Sequence, residues 1–199
     1  MLHAIPETPA HPASVAPAAP DASPDVAIPP VATLDDLAAL TAEQLRAVYC
    51  AATAPRFADL DGDFLGRMLA LAGLRPGFWQ RLLRRFAAWA HFPWRGKSFS
   101  PARAGQGGGG AADQGEGINR VFSDVRPRRW FRFETSIGPS RAGNFDAFHL
   151  DYDNPGNPFF IRAIEDEIRQ VAPGLYLGQA YLATRKRTRL VLYFGLAAR

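Results

Sequence analysis

Phe92-Pro93-Trp94-Arg95-Gly96-Lys97-Ser98-Phe99 is the stretch on which this chain changes period. Before it, apolar residues recur at helical spacing; after it, they recur at the alternate spacing of strands. The stretch sets an aromatic ring, a cation, a glycine and a second cation in four consecutive positions, an unusual density for a connector. Everything downstream reads as a sheet that this segment enters.

The composition bounds the answer. A chain of 199 residues accommodates one ordinary domain with a tail, and 47% hydrophobic with 12% aromatic content suits a large apolar interior. The single cysteine, Cys50, excludes an internal disulfide and sits in a helical pattern that favours structural burial over reactivity. Residues 1–45 carry six acidic residues and no lysine or arginine, which leaves 13 acidic against 23 basic residues, a charge of +10, for 46–199. Such an excess points to an anionic partner without choosing among a small ligand, a membrane surface and nucleic acid. The N-terminus lacks a secretory pattern, and no run approaches the roughly 20 apolar residues of a membrane span, so the expected setting is the cytoplasm.

Along the chain, the Ala/Pro-rich residues 1–32 read as a disordered tail, and 33–199 as a single domain. Thr41-Ala42-Glu43-Gln44 is a capping box that opens a helix with an apolar face of Leu45, Val48, Tyr49 and Ala52, closed by Pro55. Residues 60–68 alternate as a glycine-softened strand. Pro76 to Ala90 carries a broad apolar stripe and reads as an amphipathic helix. Residues 102–117, with four consecutive glycines, read as a flexible loop without the context of a phosphate cradle.

Strands are expected over 118–123, 130–136 and 144–152. A short helix is expected over 159–171, with Phe160, Ile161, Ile164 and Ile168 inward and Glu165, Asp166 and Glu167 outward. Strands over 175–183 and 189–197 end the chain. In the last, Leu190, Leu192, Phe194 and Leu196 share one face, and Val191 and Tyr193 the other. Apolar residues on both faces fit a sheet with a filled or hollow core on one side and helices on the other.

The chemistry on offer is sparse. His149, Asp151 and Asp153 alternate, so an imidazole and two carboxylates project from one strand face, the inventory of a metal site or of an Asp-oriented His base. Asp153, however, belongs to an Asn-Pro-Gly turn where Asp caps its own backbone, and no metal is expected. Arg126, Arg128, Arg129, Trp130 and Arg132 interleave cations with aromatics as a nucleic-acid face would, yet no RNP-like or helix-turn-helix pattern accompanies them. No nucleophile elbow is present.

The order of parts resembles the calycin-like GXWXXG domain family, intracellular relatives of lipocalins and fatty-acid-binding proteins. The likeness rests on Gly62-Asp63-Phe64-Leu65-Gly66-Arg67, the following amphipathic helix, and Trp94-Arg95-Gly96-Lys97-Ser98-Phe99. It continues through Leu150-Asp151-Tyr152-Asp153, the stretch Val171 to Gly178, and Leu192-Tyr193-Phe194-Gly195-Leu196, and covers about residues 58–197. Phe64 stands where the family motif has Trp. The resemblance implies an antiparallel barrel around a pocket for an apolar or amphipathic ligand, and no catalytic residue follows from it.

The sequence therefore predicts an α+β, mostly antiparallel fold: a calycin-like β-barrel or strongly curved sheet with two to three flanking helices. Its predicted role is to hold a small hydrophobic or amphipathic, anionic-ended ligand, with no cofactor. The expected ligand contacts are Trp94, Lys97, Asn119, Arg132, His149, Asp151, Tyr176 and Tyr193, with Lys97 or Arg132 pairing the anionic end. The alternatives are an enzyme using His149 as a base oriented by Asp151, and a basic nucleic-acid or membrane-surface module.

Overall fold

The computed structural model describes residues 26–72, 94–101, 114–185 and 187–199. Two short helices come first among them. Helix α1 (Leu34–Ala38) begins at Thr33, whose hydroxyl accepts from the Asp36 amide at 3.1 Å while the Asp36 carboxylate accepts from the Thr33 amide at 2.9 Å. Helix α2 (Ala42–Ala51) begins with the same reciprocal arrangement between Thr41 and Gln44, as its sequence demands. A 3-10 turn (Phe57–Asp59) leads into the first strand.

Eight strands then form a closed antiparallel barrel in sequence order, with the last pairing back to the first. They are β1 (Gly62–Leu71), β2 (Trp94–Pro101), β3 (Gly115–Val121), β4 (Arg128–Pro139), β5 (Asp146–Asp151), β6 (Ile164–Ala172), β7 (Leu175–Thr184) and β8 (Arg187–Ala198). A barrel of eight strands is just wide enough for its interior to be filled by side chains. One core fills that interior. A second lies outside β7 and β8, where Leu37 of α1 and Leu45, Val48 and Tyr49 of α2 cover Leu175, Leu177 and Tyr193. This is why β7 is buried on both faces almost to its end.

The antiparallel strands expected near 60–68, 118–123, 130–136, 144–152, 175–183 and 189–197 are all present, though with shifted bounds. Strand β3 starts at Gly115, inside the segment read as a loop. The helix expected over Pro76 to Ala90 lies outside the described residues, as does most of the glycine-rich segment.

Two readings are corrected. Residues 159–171 do not form a helix: Phe159 to Ala163 make turns, and Ile164–Ala172 is β6, paired with β5 and β7. Ile164 and Ile168 fit a helical turn and an alternating strand equally well, and the pairing that completes the barrel decides for the strand. Asp166 and Glu167 are consequently buried instead of outward. In β8, a register shift opposite Ala180 and Tyr181 breaks the alternation, so Val191 joins the barrel core while Leu190 joins the outer one.

Close approach at Gly96 shapes β2. Its φ is +125°, in a region that side chains avoid, and an added Cβ would meet the Phe64 carbonyl oxygen at 2.0 Å and the Gly66 nitrogen at 2.7 Å. Gly62 also has a positive φ, +88°, but nothing lies within 4 Å of its absent Cβ. Gly96→Ala is therefore expected to cost about 3 kcal/mol or more, through both clash and strain. Gly62→Ala should cost only the backbone term, about 1–2 kcal/mol. Urea midpoints of the two variants, read side by side, check this ordering.

Candidate functional site

The register shift between Trp94 and Gly96 inserts one extra residue into β2. As a result Trp94 and Lys97, three residues apart, both face the barrel interior, where strict alternation would have separated them. Lys97 is opposite Phe64 of β1 and Asn119 of β3. Asp166 lies two residues beyond inward-facing Ile168 on β6, and Tyr152 two beyond Leu150 at the end of β5. Strands β2, β3 and β6, together with the residue that follows β5, thus deliver polar side chains to one level of an otherwise apolar interior.

The contacts at that level are dense. The Lys97 ammonium donates to Asp166 Oδ2 at 3.0 Å, to Asn119 Oδ1 at 3.1 Å and to the Tyr152 hydroxyl. Tyr152 in turn donates to Asp166 Oδ2 at 3.0 Å, and Trp94 Nε1 donates to Asn119 Oδ1 at 2.9 Å. Around the ammonium stand the rings of Phe133, Tyr152 and Phe194, each centred 5.1 Å away, and of Trp94 at 5.6 Å. The Lys97 and Asp166 side chains are only 3% and 6% exposed, so this is a buried ion pair. Burial pushes the Lys97 ammonium below its ordinary proton affinity, and the Asp166 charge offsets part of that. Burial, reinforced by the same carboxylate, holds the Tyr152 hydroxyl well above the usual range.

The interior is unevenly filled. At the end where β1 begins, the Phe57 ring packs on Phe148 at 4.8 Å, Leu60 is buried, and the Tyr176 hydroxyl donates to the Asp59 carbonyl at 2.9 Å. With Phe64, Phe99 and Phe133, these side chains form a solid stopper. At the end where β2 begins, Trp94, Ile164 and Leu192 are only partly buried. A cleft of about 610 Å³ lies between β3, β4 and the loop after β5, walled by Ile118, Trp130, Phe131 and Phe160. Phe131, with a φ of +59°, is the residue skipped in the pairing of β3 and β4, and its carbonyl accepts from the Asn119 amide at 3.4 Å.

Of the residues singled out from the sequence, the structure brings Trp94, Lys97 and Asn119 together. Tyr176 is interior but belongs to the stopper. Arg132 is exposed and lies 3.7 Å from Glu116. Tyr193 is under the helices, outside the barrel. His149 also faces outward: its Nε2 must carry the hydrogen that it gives to the Gly138 carbonyl at 3.2 Å, while Nδ1 lies 3.9 Å from Glu167. Asp151 Oδ1 accepts from the Asp153 amide at 2.8 Å within the turn, so it is engaged by its own chain rather than by His149. Among the described residues no cluster of three or more His, Cys, Asp or Glu is placed to hold a metal ion. Among them, too, no helix is long and apolar enough to cross a membrane.

Tyr152 and Asp166 are the residues that sequence reasoning missed. Asp166 carried a signal, since Ile164, Asp166 and Ile168 alternate, but the helical reading turned it outward.

Neither a family model nor a curated protein matches the chain. A solved structure described as a protein from Thermomonospora curvata is similar over 80% of this chain and 88% of its own, with 13% identity and a TM-score of 0.44.

Removing one partner of the buried pair strands the other charge. Lys97→Met and Asp166→Asn are each expected to lose about 3–5 kcal/mol of stability, whereas the double variant Lys97→Met with Asp166→Leu should stay within about 1–2 kcal/mol of the parent. Chemical denaturation of all three separates these outcomes.

The five tyrosines of the chain give a pH prediction. All of them (Tyr49, Tyr152, Tyr176, Tyr181 and Tyr193) are held above the ordinary value of 10.0, chiefly by burial. Their contribution to stability is intact below pH 10 and is lost as the unfolded chain, but not the folded one, ionises above it. Lys97 acts in the opposite sense, adding stability as pH rises toward 10.5, but it is one group against five. Absorbance at 295 nm should therefore show little phenolate in the folded protein at pH 10, then a joint rise on alkaline unfolding.

Proposed function

We propose that this protein binds a small apolar or amphipathic molecule at the Trp94 end of its barrel, above a floor made by Lys97, Asn119, Tyr152 and Asp166. The observation that carries the reading is the buried Lys97–Asp166 pair, set among four aromatic rings in a barrel stoppered at its other end. A buried ion pair is seldom more stabilising than apolar side chains of the same volume, so stability alone does not account for it. A few convergent polar groups beneath an apolar rim are what a ligand site requires. The half-buried Trp94, Ile164 and Leu192 supply that rim. In this reading the barrel works as calycin-like carriers do: apolar walls give affinity, and the floor fixes orientation.

Titration with a neutral, environment-sensitive apolar dye tests the proposal. One dye should bind per chain, and Trp94→Ala should weaken it about tenfold, since a buried aromatic contact is worth on the order of 1–2 kcal/mol. Absence of saturable binding, or binding indifferent to both Trp94→Ala and Leu192→Arg, would remove the support for a barrel site.

A further inference from the structure

The hydrogen-bond inventory of the floor restricts the chemistry of what can rest on it. Lys97 has three ammonium hydrogens and three acceptors within reach: Asn119 Oδ1, the Tyr152 hydroxyl and Asp166 Oδ2. Asn119 Oδ1 receives both Trp94 and Lys97, and its amide nitrogen gives to the Phe131 carbonyl and, at 3.2 Å, to Tyr152. Tyr152 spends its single hydrogen on Asp166 Oδ2. Every donor in the cluster is thus committed. A single acceptor is left over: Asp166 Oδ1, fully buried and without a hydrogen-bond partner.

We infer, resting on the binding role proposed above, that the polar end of the ligand is a neutral hydrogen-bond donor, an alcohol hydroxyl, which gives its hydrogen to Asp166 Oδ1. An anionic end, which the basic charge balance suggested, finds no free donor here and would face a carboxylate. An ammonium would place a second cation against Lys97 inside one aromatic cage. The floor is already neutral as a pair, so a neutral donor satisfies the remaining oxygen without adding uncompensated charge at low dielectric. Discrimination follows from the same asymmetry. A site with a buried, unserved acceptor strongly disfavours an analogue that cannot donate to it.

The probes are octanol, octanoate, octylamine and octane, titrated into the full chain at a pH of about 8, where octanoate is ionised. Octanol is expected to bind at least tenfold more tightly than each of the other three. In Asp166→Asn, Lys97 loses its counter-charge, and the preference should swing to octanoate by a similar factor. A second measurement needs no variant. In protein labelled with 13C at aspartate carboxyls, the Asp166 signal should shift on saturation with octanol and hold still with octane.

Tighter octanoate than octanol in the parent protein overturns the inference while leaving the binding role standing. Octane binding as well as octanol, with an unmoved Asp166 signal, overturns it too, because water then serves the oxygen. If none of the four binds, the binding role itself falls. If Asp166→Asn leaves the order of preference unchanged, the hydroxyl is read elsewhere and the assignment to Asp166 is wrong.

Discussion

Closure of the barrel through β1 and β8 is the constraint on which everything else depends. Eight strands enclose an interior about one side chain deep from each wall, so inward residues below the Trp94 end have neighbours on all sides and water has little access there. In that setting one ammonium cannot stand alone. Lys97 on β2 is answered from across the barrel by Asp166 on β6 at 3.0 Å; the Tyr152 hydroxyl touches both partners, and the Asn119 side-chain oxygen takes another of the Lys97 hydrogens. The polar cluster is a consequence of closure: open the sheet and these four residues would each find water instead.

Much of the architecture was legible from residue patterns. The Thr41 capping box is local chemistry, complete within four residues, and it stands as read. The alternation along β1 and β4 marked them as strands because a period of two survives whatever the strand pairs with. Interior position was legible for Lys97 only indirectly, through the oddity of a cation between Trp94 and Phe99. What failed was whatever depends on a partner distant in sequence. Ile164 and Ile168 cannot reveal whether their backbone bonds to itself or to β5 and β7. Likewise, Tyr193 was assigned to the same task as Tyr176, because no local pattern tells the inside of a barrel from the side beneath α1 and α2.

The bulge at Gly96 is a further instance of position set by the whole. A glycine in a strand is ordinarily a weakness. Here it lets the carbonyl of Phe64 come within the space a methyl group would take, and the resulting irregularity turns Trp94 and Lys97 to the same side. The motif read as unusual in the sequence is unusual because it must bend the ladder to present two large side chains where a regular strand would present one.

Asp166 and Glu167 are adjacent, both buried, and point to opposite sides of β6. The first meets Lys97 inside; the second, outside, takes the Tyr49 hydroxyl, the Ser140 hydroxyl and the Arg141 amide and guanidinium. Sliding β6 by one residue would bring its outward face in, so that Glu167 or Arg169 would stand among the rings of the core in the place of Ile168. The alternation of charge and isoleucine along β6 therefore acts as a lock against mispaired forms of the barrel.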